Sequence, residues 1–160
     1  MRVLKIIGGI DININVPEGS EITTVTLKEY IKTEYDTQFE FIFCVHVLQT
    51  LWSSEVGAVV EKLVNDLAQM GELHIYVPAA EQAAKAFIKG ETDPALFYLF
   101  WGTKKKPHHS GFTLMWLRAL LVQSGALVRR ANLSQFTLTF EDQEANALGH
   151  YLLATVVRGR

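Results

Sequence analysis

Two buried strands separated by one helix constrain the fold of this chain more than any other feature. The first strand is predicted at Phe39–Val45, an apolar run that ends at His46, and the second at Leu73–Val77. Between them, apolar side chains recur at helical spacing behind Ser53-Ser54, a serine pair that offers an N-cap. A strand–helix–strand unit of this kind builds a parallel sheet, so we expect the two strands to be neighbours joined by a right-handed crossover.

The rest of the chain predicts further elements around this unit. Strands are expected at Arg2–Ile7, Ile10–Val16, Ile22–Leu27, Leu127–Phe140 and Tyr151–Arg158. Helices are expected at Lys28–Lys32, Ala79–Lys89 and Phe112–Ser124, the last capped by Thr113 and ended by Gly125. Gly71 is expected to end the helix behind Ser54, and Gly90–Gly111 is expected to be a long loop. The fold class is therefore α/β: one domain over residues 1–160, with a mostly parallel Rossmann-like sheet, helices on its faces and an antiparallel last strand.

The composition is that of an ordinary globular domain. The chain has 160 residues, of which 49% are apolar and 20% charged, which is enough for one sizeable core. A net charge of −2 gives no general attraction to nucleic acid or to an anionic membrane. The single cysteine, Cys44, excludes an intramolecular disulfide and fits a reducing compartment. We therefore expect a cytoplasmic protein that has no membrane partner and no nucleic-acid partner.

Two stretches of the chain resemble class I S-adenosylmethionine-dependent methyltransferases. The sequence FEFIFCVHVLQTL followed by LAQMGELHIYVP, which ends at Pro78, is similar to the family phrases FDEIYASHVLEHL and VLKPGGRLRISVP. The sequence HHSGFTLMWLRALL, from His108 to Leu121, resembles HKxGFTxxxLRxLLxxAGF. This resemblance implies a Rossmann-like methyltransferase sheet. It also implies transfer of a methyl group from S-adenosylmethionine to an acceptor that the sequence does not identify.

The resemblance also indicates where the cofactor would bind. In the family, the first strand ends in a Gly-x-Gly loop that lets the backbone approach the cofactor, and an acid after the second strand binds the ribose. Here Gly8 and Gly9 follow the first strand, and Asp11 is the best candidate for the acid. His46 comes at the carboxyl edge of the sheet, where ligands of open α/β folds bind. The resemblance thus assigns cofactor binding to Gly8, Gly9, Asp11 and His46, and it assigns no catalytic residue.

Each of these residues also fits a simpler structural explanation. The Gly8-Gly9 pair is typical of a turn that ends a strand, and Asp11 alternates with Asn13 and Asn15 as on a solvent-facing strand. His46 fits a hydrogen-bonded structural histidine equally well. Asp11 also follows the glycine pair too closely for a crossover helix, so the first helix of the family is expected to be absent. The alternative function is therefore a non-catalytic binding or scaffold protein that retains the fold.

Three other groups of residues bear on function. Adjacent histidines rarely bind one ion, so His108-His109 predicts no metal site. The run Lys104–Lys106 is typical of a solvated loop. A group of aromatic residues could form a lid over the site, part of the core or an oligomer contact, namely Phe97, Tyr98, Phe100 and Trp101.

The missing helix has a consequence for the quaternary structure. Without it, four apolar side chains would form an exposed patch on the sheet: Val3, Ile6, Ile12 and Ile14. Monomers seldom expose contiguous apolar patches of more than a few hundred Å². We therefore expect a second copy of the chain or a partner chain to cover this group.

Overall fold

The computed structural model describes residues 1–8, 16–102, 104, 107–140 and 143–157. These ranges contain six strands, β1 (Arg2–Ile7), β2 (Glu21–Thr26), β3 (Phe39–Val45), β4 (Leu67–Pro78), β5 (Ala126–Phe140) and β6 (Gln143–Val156). The helices are α1 (Leu27–Lys32), α2 (Ser53–Asp66), α3 (Ala80–Ile88), α4 (Pro94–Trp101) and α5 (Leu114–Gln123), with a 3₁₀ turn at Leu48–Thr50. Within the described ranges, no helix is long and apolar enough to cross a membrane.

All six strands form one sheet in the spatial order β2-β1-β3-β4-β6-β5. The pairs β2–β1, β1–β3 and β3–β4 are parallel, whereas β6 runs antiparallel to both β4 and β5. The predicted α/β class, with a mostly parallel sheet and an antiparallel last strand, is therefore confirmed. The two central strands, β3 and β4, are adjacent, parallel and connected through α2, as the sequence predicts.

One face of the sheet carries the main core. Alternate residues of the strands point to this face, among them Ile6, Ile42 and Ile75, all fully buried. Helices α1, α2 and α5 pack there because each presents an apolar stripe to the sheet. Helix α1 is also held to the end of α2, since the hydroxyl of Tyr30 donates a hydrogen bond to Asp66 at 2.8 Å.

The opposite face carries a smaller cluster built from Val3, Phe43 and Val45, with Val16 packed against it. Beside this cluster, aromatic rings form a ladder across β3, β4 and β6, in which His74 stacks on Phe43 at 4.7 Å. The hydroxyl of Tyr151 lies 2.7 Å from Nδ1 of His74. Polar as well as apolar contacts therefore hold this face together.

The exposed apolar group expected from the sequence is not found at Val3 and Ile6. Both side chains are fully buried, and they lie in different clusters on opposite faces of the sheet. This expectation was wrong because adjacent odd and even positions of a strand point to opposite faces. Ile12 and Ile14 lie outside the described residues, and covering by a second copy of the chain or by a partner chain stays a prediction.

The helix behind the serine pair ends earlier than predicted. Helix α2 stops at Asp66, and β4 begins at once with Leu67 and runs through Gly71. The register between β3 and β4 shifts here, so that Phe39 pairs with Leu67 but Phe41 pairs with Glu72. A Cβ on Gly71 would lie 2.9 Å from the carbonyl oxygen of Glu40, so this glycine permits strand packing and does not end a helix.

Two further expectations were wrong in detail. Helix α2 begins at Ser53, so its N-cap is Trp52, whose backbone N–H donates to the Glu55 carboxylate at 3.0 Å. The predicted loop Gly90–Gly111 contains α4, an apolar helix. By contrast, Thr113 caps α5 as predicted, because its hydroxyl accepts from the N–H of Trp116.

The end of β1 lies unusually close to the end of β3. The N–H of Gly8 donates to the carbonyl of Val45 at 3.2 Å. A Cβ built on Gly8 would lie 2.1 Å from the carbonyl oxygen of His46, a distance that real Cβ atoms essentially never show. Since the obstructing atom belongs to the backbone, any side chain at this position would push the two strand ends apart.

We therefore expect the substitution Gly8→Ala to lower the free energy of unfolding by about 1–3 kcal/mol, as overpacking does. The matched control is Gly57→Ala in the middle of α2, where an added Cβ meets no atom within 4 Å. That change should raise stability by about 1 kcal/mol, since alanine favours helix. Urea unfolding of the two variants measures both values, and an unaltered midpoint for Gly8→Ala would contradict the close approach.

Candidate functional site

The order of the strands creates a crevice between β1 and β3. From β1 the chain goes next to β2 on one side of the sheet, and β3 then lies on the other side. In open α/β sheets, ligands bind at such a switch point, outside the carboxyl ends of the strands. Gly8 and His46 are the residues that follow β1 and β3. We call this edge the switch-point site; it comprises Gly8, His46, Glu29, Tyr98 and His108.

His46 is buried at the base of the site. Its side chain is 1% exposed, and its backbone lies in the left-handed region with φ 49°. The N–H of His46 donates to the carbonyl of Tyr76 at 2.9 Å, which continues the parallel pairing of β3 with β4 by one residue. Burial, and to a smaller extent the neighbouring His108, lower the pKa of His46 to about 4. The imidazole is therefore neutral at pH 7.

The segment before α5 brings His108 to the same site. Its ring meets the ring of Tyr98 edge-on at 5.7 Å, and burial raises the pKa of the Tyr98 hydroxyl. The neighbouring His109 points elsewhere and stacks on Trp52 at 4.0 Å. The two adjacent histidines therefore diverge. Among the residues that the structure describes, no group of three or more His, Cys, Asp or Glu side chains could hold a metal ion.

Backbone contacts fix this segment in place. The N–H groups of His109 and Ser110 both donate to the carbonyl of Gln49, at 2.8 and 3.1 Å. The hydroxyl of Ser110 donates to the carbonyl of Leu51 at 2.7 Å. The 3₁₀ turn that follows His46 is thus bonded directly to the segment that carries His108, and these bonds fix the relative positions of the two histidines.

The carboxyl end of β2 places an acid at the same edge. Thr26, its last residue, pairs with Ile7, the residue before Gly8. Glu29 lies one turn further on, in α1, and its carboxylate accepts hydrogen bonds from the N–H and the hydroxyl of Thr26, both at 2.8 Å. These bonds lower the pKa of Glu29, so the carboxylate is ionised at neutral pH.

The structure brings together two of the four residues that the sequence assigned to the cofactor, Gly8 and His46. Gly9 and Asp11 lie outside the described residues, as does most of the strand predicted at 10–16. Sequence reasoning missed Glu29, although the pattern Thr26-x-x-Glu29 is a capping-box signature and marks the start of a helix. It also missed the pairing of Tyr98 with His108, for which the sequence contains no signal.

Comparisons with known proteins gave matches only at the level of structure. No family model matches the chain, and no curated protein matches its sequence. A crystal structure of an S-adenosylmethionine-dependent methyltransferase from Methanosarcina mazei is similar to it, with a TM-score of 0.61 and 11% identity. That likeness covers 99% of this chain and 93% of the other.

Two larger proteins are similar over most of this chain. One is magnesium protoporphyrin IX methyltransferase from Synechocystis, solved with bound S-adenosylhomocysteine, with a TM-score of 0.53 and 15% identity over 87% of this chain. The other is an N-methyltransferase from Bradyrhizobium japonicum, with a TM-score of 0.51 and 12% identity over 87% of this chain. The chain spans only 53% and 61% of their lengths. With the strand order described above, these likenesses show that the chain has the fold of the class I S-adenosylmethionine-dependent methyltransferases.

Proposed function

We propose that the chain is an S-adenosylmethionine-dependent methyltransferase that binds its cofactor at the switch-point site. The observation that carries the proposal is that Thr26, which pairs with the last residue of β1, holds the ionised carboxylate of Glu29. In dinucleotide-binding folds, an acid about twenty residues after the glycine loop binds the ribose hydroxyls. Glu29 has that spacing from the Gly8-Gly9 pair and follows the second strand of the sheet. It therefore replaces Asp11 as our candidate for this role.

The residues of the site fit the cofactor in part. Both hydrogen bonds that Glu29 accepts from Thr26 end on one carboxylate oxygen, Oε2, so Oε1 is available to accept from a ribose diol. The close approach of the His46 carbonyl already requires a glycine at position 8. The lack of a side chain there is therefore not independent support for a cofactor site. Glu29 and the fold therefore support cofactor binding.

Methyl transfer requires little of the protein beyond alignment of the methyl donor with the acceptor. Bound S-adenosylmethionine supplies an activated sulfonium methyl group, so the protein acts mainly by orienting the methyl acceptor. An imidazole can accept the proton that an acceptor nitrogen or oxygen loses. A pKa of about 4 makes His46 a weak base, and its side chain is buried. We infer that the half-buried His108 beside it faces the acceptor.

The runner-up is a binding or scaffold protein that keeps the fold without the reaction. One observation favours it. The chain passes from β1 to the parallel β2 through residues 8–20, and Gly8 and residues 16–20, the part of that connection which the structure describes, contain no helix. A crossover helix normally directs its N-terminus at the cofactor. A cytoplasmic location remains a prediction under either function.

Calorimetric titration with S-adenosylmethionine and with S-adenosylhomocysteine tests the proposal. We expect both to bind, and we expect Glu29→Gln to weaken binding about tenfold, because a charge-assisted hydrogen bond becomes a neutral one. Glutamine still closes a capping box, so α1 should remain folded.

The matched control is Glu55→Gln, which alters the equivalent capping carboxylate of α2. It should leave the affinity unchanged. Binding that Glu29→Gln does not weaken would place the ribose elsewhere. If neither compound binds the unaltered chain, the methyltransferase proposal is wrong and the scaffold alternative holds.

The pH dependence of stability tests the state of His46. Its pKa is about 4 in the folded protein and about 6.5 in the unfolded chain, so the unfolded chain binds more protons between these values. The stabilising effect of a neutral His46 is therefore present above pH 6.5 and declines as the pH falls towards 4. Between pH 7 and pH 5, His46 should reduce the free energy of unfolding by about 2 kcal/mol.

The comparison variant is His46→Asn, since asparagine tolerates the left-handed backbone and does not titrate. Burial also lowers the pKa values of His74 and His150, so both proteins should lose stability in acid. The variant should lose about 2 kcal/mol less than the unaltered chain, as measured by urea unfolding at the two pH values. Equal losses would show that His46 titrates normally.

A further inference from the structure

We propose that helices α3 and α4 form a docking surface for an anionic lipid bilayer. The surface, here called the aromatic–lysine surface, is made of exposed apolar side chains and the lysines beside them. Its apolar members are Ile88, Phe97, Phe100 and Trp101, which are 86%, 47%, 37% and 54% exposed. Its described lysines are Lys85, Lys89 and Lys104, all exposed. This inference does not depend on the proposed function.

The composition of α4 is the first reason. Its sequence, PALFYLFW, has no charged side chain, and its only polar side-chain groups are the Tyr98 hydroxyl and the Trp101 indole N–H. A helix that is apolar on all sides belongs in a core or in lipid. Yet three of its aromatic side chains face solvent. At about 12 Å, an eight-residue helix is also far too short to cross a bilayer, so it can only lie at the surface of one.

The aromatic rings form a continuous cluster through contacts within the chain itself. Phe87 of α3 contacts Phe97, Phe100 and Trp101 of α4, with ring centroids 5.0, 5.7 and 5.4 Å apart. The cluster joins the two helices and leaves its outer rings exposed. A preformed surface binds at lower entropic cost than one that has to be ordered on contact.

The local charge favours a bilayer over another protein as the occupant of this surface. Residues 80–106, which span both helices, contain five lysines against three acids, Glu81, Glu91 and Asp93, a local charge of +2 in a chain whose total is −2. Lysine is depleted in the cores of protein interfaces, whereas lysines beside exposed aromatic residues are typical of helices that bind anionic membranes. The net charge of the whole chain, which indicates no attraction to an anionic membrane, conceals this segment.

Nucleic acid is a less suitable occupant. Single-stranded nucleic acid also binds aromatic residues and lysines, but it needs polar donors along its phosphate backbone as well as stacking rings. Here the most exposed side chain is Ile88, an aliphatic group that cannot stack on a base. An acyl–headgroup boundary accommodates isoleucine, phenylalanine and tryptophan together.

Vesicle flotation with the full chain tests the proposal. We expect binding to vesicles of phosphatidylcholine mixed with phosphatidylserine, weaker binding to phosphatidylcholine alone, and a decrease with added salt. The double substitution Phe97→Ser and Trp101→Ser should weaken binding more than about tenfold. Lys85→Gln and Lys89→Gln should each weaken it about fivefold, on the mixed vesicles only.

The matched control is Met115→Ser with Val122→Ser on the outer side of α5, two apolar side chains that are 78% and 57% exposed. This variant should bind as the unaltered chain does. All substituted positions lie at the surface, and circular dichroism with thermal unfolding checks that each variant folds.

A second readout follows Trp101 directly. In a chain carrying Trp52→Phe and Trp116→Phe, Trp101 is the only tryptophan, and its fluorescence should shift to the blue on mixed vesicles.

Three results would overturn the proposal. The first is no binding to the mixed vesicles at micromolar protein. The second is a dimer, seen by light scattering, that the Phe97→Ser and Trp101→Ser variant converts to a monomer, because the surface then belongs to a second copy. The third is tight binding to a single-stranded oligonucleotide in the absence of vesicle binding.

Discussion

The pairing of β3 on both of its edges is the constraint on which the rest of the structure depends. This strand bonds to β1 on one side and to β4 on the other, and it contributes buried side chains to both faces of the sheet. Because it is parallel to both neighbours, its carboxyl end meets the ends of β1 and β4 at one edge. His46 therefore emerges between Gly8 and Tyr76, and the switch-point site follows from strand order alone.

The sequence predicted this central part correctly because its signals are local and strong. Continuous apolar runs predict buried parallel strands, and a helical stripe between them leaves few alternatives. The boundary between α2 and β4 was not predictable in the same way. Gly71 looks like a helix stop, but it is required by the close approach of the Glu40 carbonyl from the neighbouring strand. That contact joins residues far apart in the chain, so no local pattern contains it.

A similar limit applies to the acid of the candidate site. The sequence places Asp11 soon after Gly8-Gly9, but no local pattern shows which carboxylate follows a strand that pairs with β1. The structure pairs Glu21–Thr26 with β1, and the carboxyl end of that strand leads to Glu29. Asp11 itself lies outside the described residues.

Helix α4 contributes to both the switch-point site and the aromatic–lysine surface. Tyr98 lies on its inner side against His108, while Phe97, Phe100 and Trp101 form the exposed aromatic–lysine surface. A bilayer that holds the outer side of this helix would lie within one helix diameter, about 10 Å, of the ring that borders the switch-point site. A methyl acceptor dissolved in the lipid would then reach His108 without passing through water. Taken together, the two proposals favour an apolar acceptor with one nucleophilic oxygen or nitrogen, a restriction that neither proposal imposes by itself.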